Sequence, residues 1–216
     1  MLANAGTIDK TDTTTVPISW KPPARDLLKL NIYGSALQNP GKGGISRAFK
    51  NHTGEWVLGY YMHLPLTTSV MTELTALRYG LTIAKAYNFH HITIETDSSV
   101  LLHMLLNDHP SYHNLLSECR MLMEEMCIPV PAKIYREQNA VADALAKEKA
   151  RTQELEPKLI LHMPHFVISH VQADREGVCF DRTIKNLSII LQGWNVAQNN
   201  IVLAPTHKRS ILDLHR

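Results

Sequence analysis

Two hydrophobic periods alternate along the chain, and each change of period marks an element. Leu28, Leu30 and Ile32 alternate with Lys29 and Asn31, the two-residue repeat of a half-buried strand. Asn39-Pro40-Gly41-Lys42-Gly43-Gly44 reads as a turn, Ile45 to Phe49 as a second strand and Asn51-His52-Thr53-Gly54 as another turn. Trp56 to Met62 has the aromatic and β-branched content of a third strand. Three strands joined by short turns predict an antiparallel meander. The period then lengthens. Val70, Leu74, Leu77, Leu81 and Ala84 recur at helical spacing, with Thr68 or Ser69 placed to cap the helix. His91 to Glu95 predicts a compact strand, Val100 to Leu106 a short apolar helix and Tyr112 to Met126 a longer one. Lys133 to Arg136 predicts a last strand, which Pro129 and Pro131 confine to an edge or a bulge. Asn139 is placed to cap a closing helix through Lys149.

The order is three strands, helix, strand, two helices, strand, helix. A strand–helix–strand crossover requires parallel pairing, whereas a meander is antiparallel. The expectation is an α/β fold with a mixed five-stranded sheet flanked by helices, over residues 20–150. Residues 1–19 are rich in threonine and poor in apolar side chains, so they read as a flexible arm. Trp20-Lys21-Pro22-Pro23 then starts the fold rigidly. Residues 151–216 form an extension of unclear order: Phe166 to Val171 and Gly177 to Phe180 read as a hairpin, and Leu187 to Leu191 is a short apolar run.

Composition narrows the function classes. Of 216 residues, 44% are hydrophobic and 19% charged, which argues for a packed globular chain rather than disorder. The formal charge of +2 makes the overall field weak, so any nucleic-acid contact must come from a local basic face. Cys119, Cys127 and Cys179 have no paired spacing, and the first two fall in a helical apolar pattern that predicts buried thiols. Met104, Met121, Met123 and Met126 read as core filling. His162, His165 and His170 with Cys179 match no zinc spacing. No apolar run approaches a membrane span and no secretion signal opens the chain, so the expected setting is intracellular, away from membranes.

Four segments carry candidate chemistry: Lys29 to Ser35, Thr72 to Leu77, Ile94 to Ser98, and Arg136 to Ala146. In this order, with these elements between them, and with Trp20 to Pro23 and Gly41 to Gly44, they resemble the plant and retroelement branch of the ribonuclease H-like family. The resemblance covers about three-fifths of the chain. It implies magnesium-dependent hydrolysis of RNA in RNA–DNA hybrids, with four carboxylates holding two ions about 4 Å apart. Glu73 matches the glutamate of the first helix, Asp97 the aspartate after the fourth strand, and Asp143 the aspartate of the closing helix. The family's first aspartate, which bridges both ions, falls on Tyr33. A phenol with a pKa of about 10 is neutral at pH 7 and a poor magnesium ligand. Asp26, the nearest upstream acid, precedes the strand and lies at its far end. The implied partner is an RNA–DNA hybrid or structured RNA, with Ser35, Lys42 and Arg47 as candidate contacts.

Taken singly, these residues have plainer readings. Glu73 reads as a solvated helix glutamate, Asp97 as the N-cap of the helix at Val100, and Asp143 as a first-turn acid favoured by the helix dipole. Lys42 reads as a solvated turn lysine, and Asn39 and Asn139 as turn and cap. The sequence therefore leaves three functions open: a hybrid-cutting nuclease, a binding module that has lost catalysis, or a retroelement-derived remnant.

Overall fold

A computed structural model describes residues 13–152 and 157–185. In chain order the elements are β1 (Thr13–Ile18), β2 (Leu28–Ala36), β3 (Gly41–Lys50), β4 (Trp56–Thr67), α1 (Ser69–Ala86), β5 (Ile92–Thr96), α2 (Ser99–Leu106), α3 (His113–Glu125), β6 (Ala132–Lys133), α4 (Ala140–Thr152), β7 (Lys158–Ile160), α5 (Ile168–Glu176) and β8 (Phe180–Lys185). The larger of two compact units is Pro17–Asp181. Its sheet runs β6-β5-β2-β3-β4-β7. β2, β3 and β4 pair antiparallel, as a meander must, and β5 joins β2 in parallel, as a helical crossover must.

The apolar positions of the two periods meet on one face of this sheet. Leu30 and Ile32 of β2, Ile45 and Phe49 of β3 and Leu58 of β4 pack against Leu74, Leu77 and Leu81 of α1 and Leu116 of α3. Each fully buried leucine there contributes about 2 kcal/mol by leaving water. Thr68 caps α1, its hydroxyl accepting from the Met71 amide. The opposite face carries Ala48, Tyr61, Val141, Leu145, Val167 and Val171. Covering both faces is what turns the alternating polar positions of β2 inward. Lys29 and Asn31 are buried, and both donate to Glu95 of β5, at 2.6 and 2.9 Å. Trp20 closes over them, its indole N–H donating to Asn31 at 3.0 Å.

Several expectations need correction. The sheet has six strands among the described residues rather than five, because β7 adds to the free edge of β4. Thr13–Ile18, read as arm, forms β1 and pairs with β8 in a second, two-stranded sheet. The hairpin expected from Phe166 to Phe180 is instead a short 3-10 turn followed by α5. Val167 and Val171, four residues apart, bury one helical side, and Gly177 at φ 66° ends the helix in the left-handed region. Gly41 to Gly44 belongs to β3 rather than a turn, with a register shift between Gly41 and Gly43. Met121 is 65% exposed and does not fill the core. Cys127 is exposed as well, at positive φ just beyond α3, whereas Cys119 is buried as expected. The run Leu187 to Leu191 lies outside the described residues.

Candidate active site

The site lies where β2 and β5 end beside the first turns of α1 and α4. Gly34 sets the distance between β2 and α1. A Cβ at Gly34 would stand 2.5 Å from the carbonyl carbon of Thr72, so only glycine lets the strand reach the helix start. That contact seats β2 directly against the start of α1, with the Glu73 amide 2.6 Å from where the Gly34 Cβ would stand.

Glu73 and Asp97 form one half of the site. Glu73 Oε2 is sealed from solvent without a hydrogen-bond partner among the described residues. Burial, and then the nearby charge of Asp97, push the Glu73 carboxyl up to about 8. Asp97 is held by its surroundings. Asn139 donates to its Oδ1 at 3.3 Å and to the carbonyl of Ile32 in β2 at 2.8 Å, and Lys133 donates to its backbone carbonyl. Ser98, not Asp97, caps α2, accepting from the Leu101 amide. Asp97 is therefore free of the capping role that the sequence offered it, and Asn139 ties two strand ends together instead of acting as a simple cap.

Asp143 belongs to a different cluster. Tyr33 is buried against Ala142 and Ala146 of α4, two small side chains that make room for its ring. Arg136 Nη2 donates to the Tyr33 hydroxyl at 2.7 Å and to Asp143 Oδ1 at 3.2 Å. Lys147, one turn along α4, reaches Asp143 Oδ2 at 2.5 Å. Burial, then the charge of Asp143, push the Tyr33 phenol up to about 12, so it stays protonated. Burial alone would raise Asp143, but the bonds from Lys147, Arg136 and Tyr33 outweigh it and hold the carboxyl low. The Arg136 guanidinium is held above its ordinary value, chiefly by its hydrogen bond to Asp143.

This donor set does not suit two divalent ions. Tyr33, where the resemblance puts a bridging carboxylate, is a neutral phenol, and a fixed guanidinium already neutralises Asp143. Among the described residues, no group of three or more His, Cys, Asp or Glu side chains is arranged to hold a metal ion. The Glu73–Asp97 half, with its orphaned carboxylate oxygen, keeps the hard-oxygen chemistry that suits a single cation.

The other candidate contacts separate. Ser35 is half-buried and Lys42 exposed, and both line the same cleft as Tyr33. Arg47 is a correction: it is 0% exposed and lies under α1, donating to the carbonyls of Ala76 at 2.6 Å and Thr75 at 3.3 Å. Its guanidinium also faces the Tyr60 ring at 4.7 Å, and burial lowers it to about 9. It cannot reach a ligand. Arg136 and Asn139 were missed as site residues. Both lie in the segment Arg136 to Ala146 that carries the resemblance, but their contacts do not show in it, because the partners Tyr33, Ile32 and Asp97 come from distant strands.

A family model described as reverse transcriptase-like matches residues 31–149, more than half of the chain. The chain belongs to the reverse transcriptase-like family. The matched residues run from the middle of β2 into α4, so they span Tyr33, Glu73, Asp97, Arg136 and Asp143. Comparison with curated proteins gives no match. Among solved structures, RNase H1 from the halophilic archaeon Halobacterium salinarum NRC-1 is similar at TM-score 0.55 and 22% identity, over 58% of this chain and 98% of that one. The N-terminal RNase H domain of a Mycobacterium tuberculosis protein aligns at TM-score 0.54 and 19% identity, over 59% and 96%. An RNase H1 isolated from compost, in complex with an RNA/DNA hybrid, aligns at TM-score 0.54 and 20% identity, over 59% and 99%. These likenesses establish a ribonuclease H fold for this reverse transcriptase-like domain.

The raised Glu73 carboxyl has a consequence for stability. Its folded value of about 8 exceeds its ordinary 4.5, so it favours the folded state at low pH. That contribution is complete below about pH 4.5 and is lost as pH rises through about 8. With divalent ions chelated, the parent should lose about 1–3 kcal/mol more than Glu73→Gln across this window. Urea denaturation at pH 5 and pH 8.5 measures it. Parallel pH profiles for the two proteins would contradict the assignment.

Proposed function

We propose that this chain is a nucleic-acid-binding domain of ribonuclease H type whose magnesium-dependent cleavage of RNA in RNA–DNA hybrids is impaired at Tyr33. The observation that carries the reading is the Arg136 guanidinium, bonded at once to the Tyr33 hydroxyl and to Asp143. In this reading Glu73 and Asp97 remain able to take one magnesium ion, while the position that would bridge a second is filled by a ring and a cation. Loss of one preorganised electrostatic group commonly costs about a hundred- to thousandfold in rate, and loss of a bridging ligand costs more.

The fold supports binding independently of cleavage. The cleft beside the site carries Ser35, Lys42, Arg136 and Lys147, groups that meet phosphates and ribose hydroxyls in an A-form duplex. The solved relative bound to an RNA/DNA hybrid has the same fold, which favours a hybrid as the first ligand to test. The remnant reading is weakened by the extension: Asp174 of α5 is buried against Lys50 of β3, which a tail never shaped by the fold would not supply.

Fluorescence anisotropy with a labelled hybrid, at salt from 50 to 200 mM, tests the reading. Binding should weaken steeply with salt, with log affinity falling linearly against log salt. Failure to bind hybrid, duplex RNA and single strands at the lowest salt would overturn it.

A further inference from the structure

The cleft that opens beside Tyr33 leads away from Glu73 and Asp97. It holds about 350 Å³, and neither of those carboxylates lines it. Its charged lining comprises Lys42 of β3, Arg136, and Asp143 and Lys147 of α4. Three cations thus face one carboxylate, and that carboxylate is already bonded by two of them. The side chains of Arg136 and Lys147 are 62% and 70% exposed, so their charges are presented to solvent, while Asp143 is 14% exposed beneath them. Gly43 and Gly44 form a wall of the cleft without side chains to close it.

Arg136 is held in one place. Both of its bonds to Tyr33 and Asp143 use Nη2. A guanidinium carries five N–H donors in a plane; with Nη2 engaged, Nε or Nη1 remains to donate a single charge-assisted bond to a phosphate. Tyr33 thereby has a positive role: its hydroxyl accepts from Arg136 and positions the guanidinium without placing a second carboxylate against it.

We infer that Arg136, Lys42 and Lys147 form a metal-independent site for one backbone phosphate of a bound nucleic acid, with Tyr33 as the positioning residue that orients Arg136. This rests on the nucleic-acid-binding reading above and extends it: a tethered guanidinium supplies the positive charge that exchangeable cations would otherwise bring to this end of the site.

The test uses the full chain, a labelled RNA–DNA hybrid and EDTA throughout, with inorganic phosphate as a second probe. Parent affinity in EDTA should stay within about twofold of that in magnesium, because the cations of the site are side chains. Arg136→Gln should weaken binding about tenfold and lower the salt slope by about one. Lys147→Gln, also at an exposed side chain, should lower the slope likewise, and Tyr33→Phe should weaken binding by about threefold with the slope unchanged. Inorganic phosphate should shift the Arg136 Nε resonance in the parent and shift it less in Tyr33→Phe. Parent binding equalled by both Arg136→Gln and Lys147→Gln would overturn the site while leaving nucleic-acid binding intact. Binding abolished by EDTA would overturn its metal independence. If the parent binds no nucleic acid but phosphate still shifts the Arg136 resonance, the site stands and the nucleic-acid reading fails. Absence of both signals overturns both.

Discussion

Replacing Asp174 with alanine should destabilise the domain by about 3–5 kcal/mol, lowering its melting temperature by roughly 6 to 20 °C. Lys50 and Asp174 meet at 2.5 Å with side chains only 1% and 6% exposed. Burial lowers the Lys50 ammonium and raises the Asp174 carboxyl from their ordinary values, and their mutual attraction opposes both shifts. Lys50 also stands 3.7 Å from the centre of the Trp20 ring. Removing Asp174 leaves that charge uncompensated under α5, which is why the loss exceeds the net worth of the pair. The double variant Lys50→Met/Asp174→Leu should recover most of the stability, because apolar side chains of similar volume need no desolvation of charge. Urea denaturation of the three proteins decides it. A loss below about 1 kcal/mol in Asp174→Ala would place the extension outside the cooperative unit.

The second large effect concerns Tyr33. Tyr33→Asp should raise hybrid cleavage in magnesium, and Tyr33→Asp/Arg136→Gln should raise it further, by about a hundredfold or more over the parent. The single change supplies a carboxylate but leaves the Arg136 guanidinium beside it. A bidentate pair between them would compete with any divalent ion. Removing the guanidinium frees the new carboxylate and leaves Asp143 paired with Lys147 alone. The double variant should also be less stable than the parent in EDTA and regain stability in magnesium, since clustered carboxylates repel until a cation joins them. Gain in the single variant equal to that in the double variant would mean that Arg136 does not obstruct the site.

Much of this arrangement was legible in one dimension. The switch from the two-residue period of Leu28, Leu30 and Ile32 to the helical period of Leu74, Leu77 and Leu81 forces a meander followed by crossovers. That topology brings Tyr33, Glu73 and Asp97 to one end of the sheet. Where the reading failed, tertiary contacts outweighed local pattern. The β-branched run near Val167 looks like a strand, but its valines repeat every fourth residue and bury against Ala48 and Leu145. Arg47 looks like a surface cation on a strand, yet it lies under α1, where helix carbonyls and two tyrosine rings take its charge. Tyr33 was visible as a tyrosine where the resemblance puts a carboxylate. The guanidinium that accompanies it was not, because Arg136 and Tyr33 lie 103 residues apart and meet only through the fold.

Single-turnover cleavage of a labelled RNA–DNA hybrid, with the parent in excess and magnesium present, measures directly whether Tyr33 and Arg136 suppress cutting. Bound hybrid should stay intact under the parent, cut at a rate about a hundredfold or more below that of Tyr33→Asp/Arg136→Gln. Magnesium-dependent cutting by the parent within about tenfold of that variant would contradict that suppression.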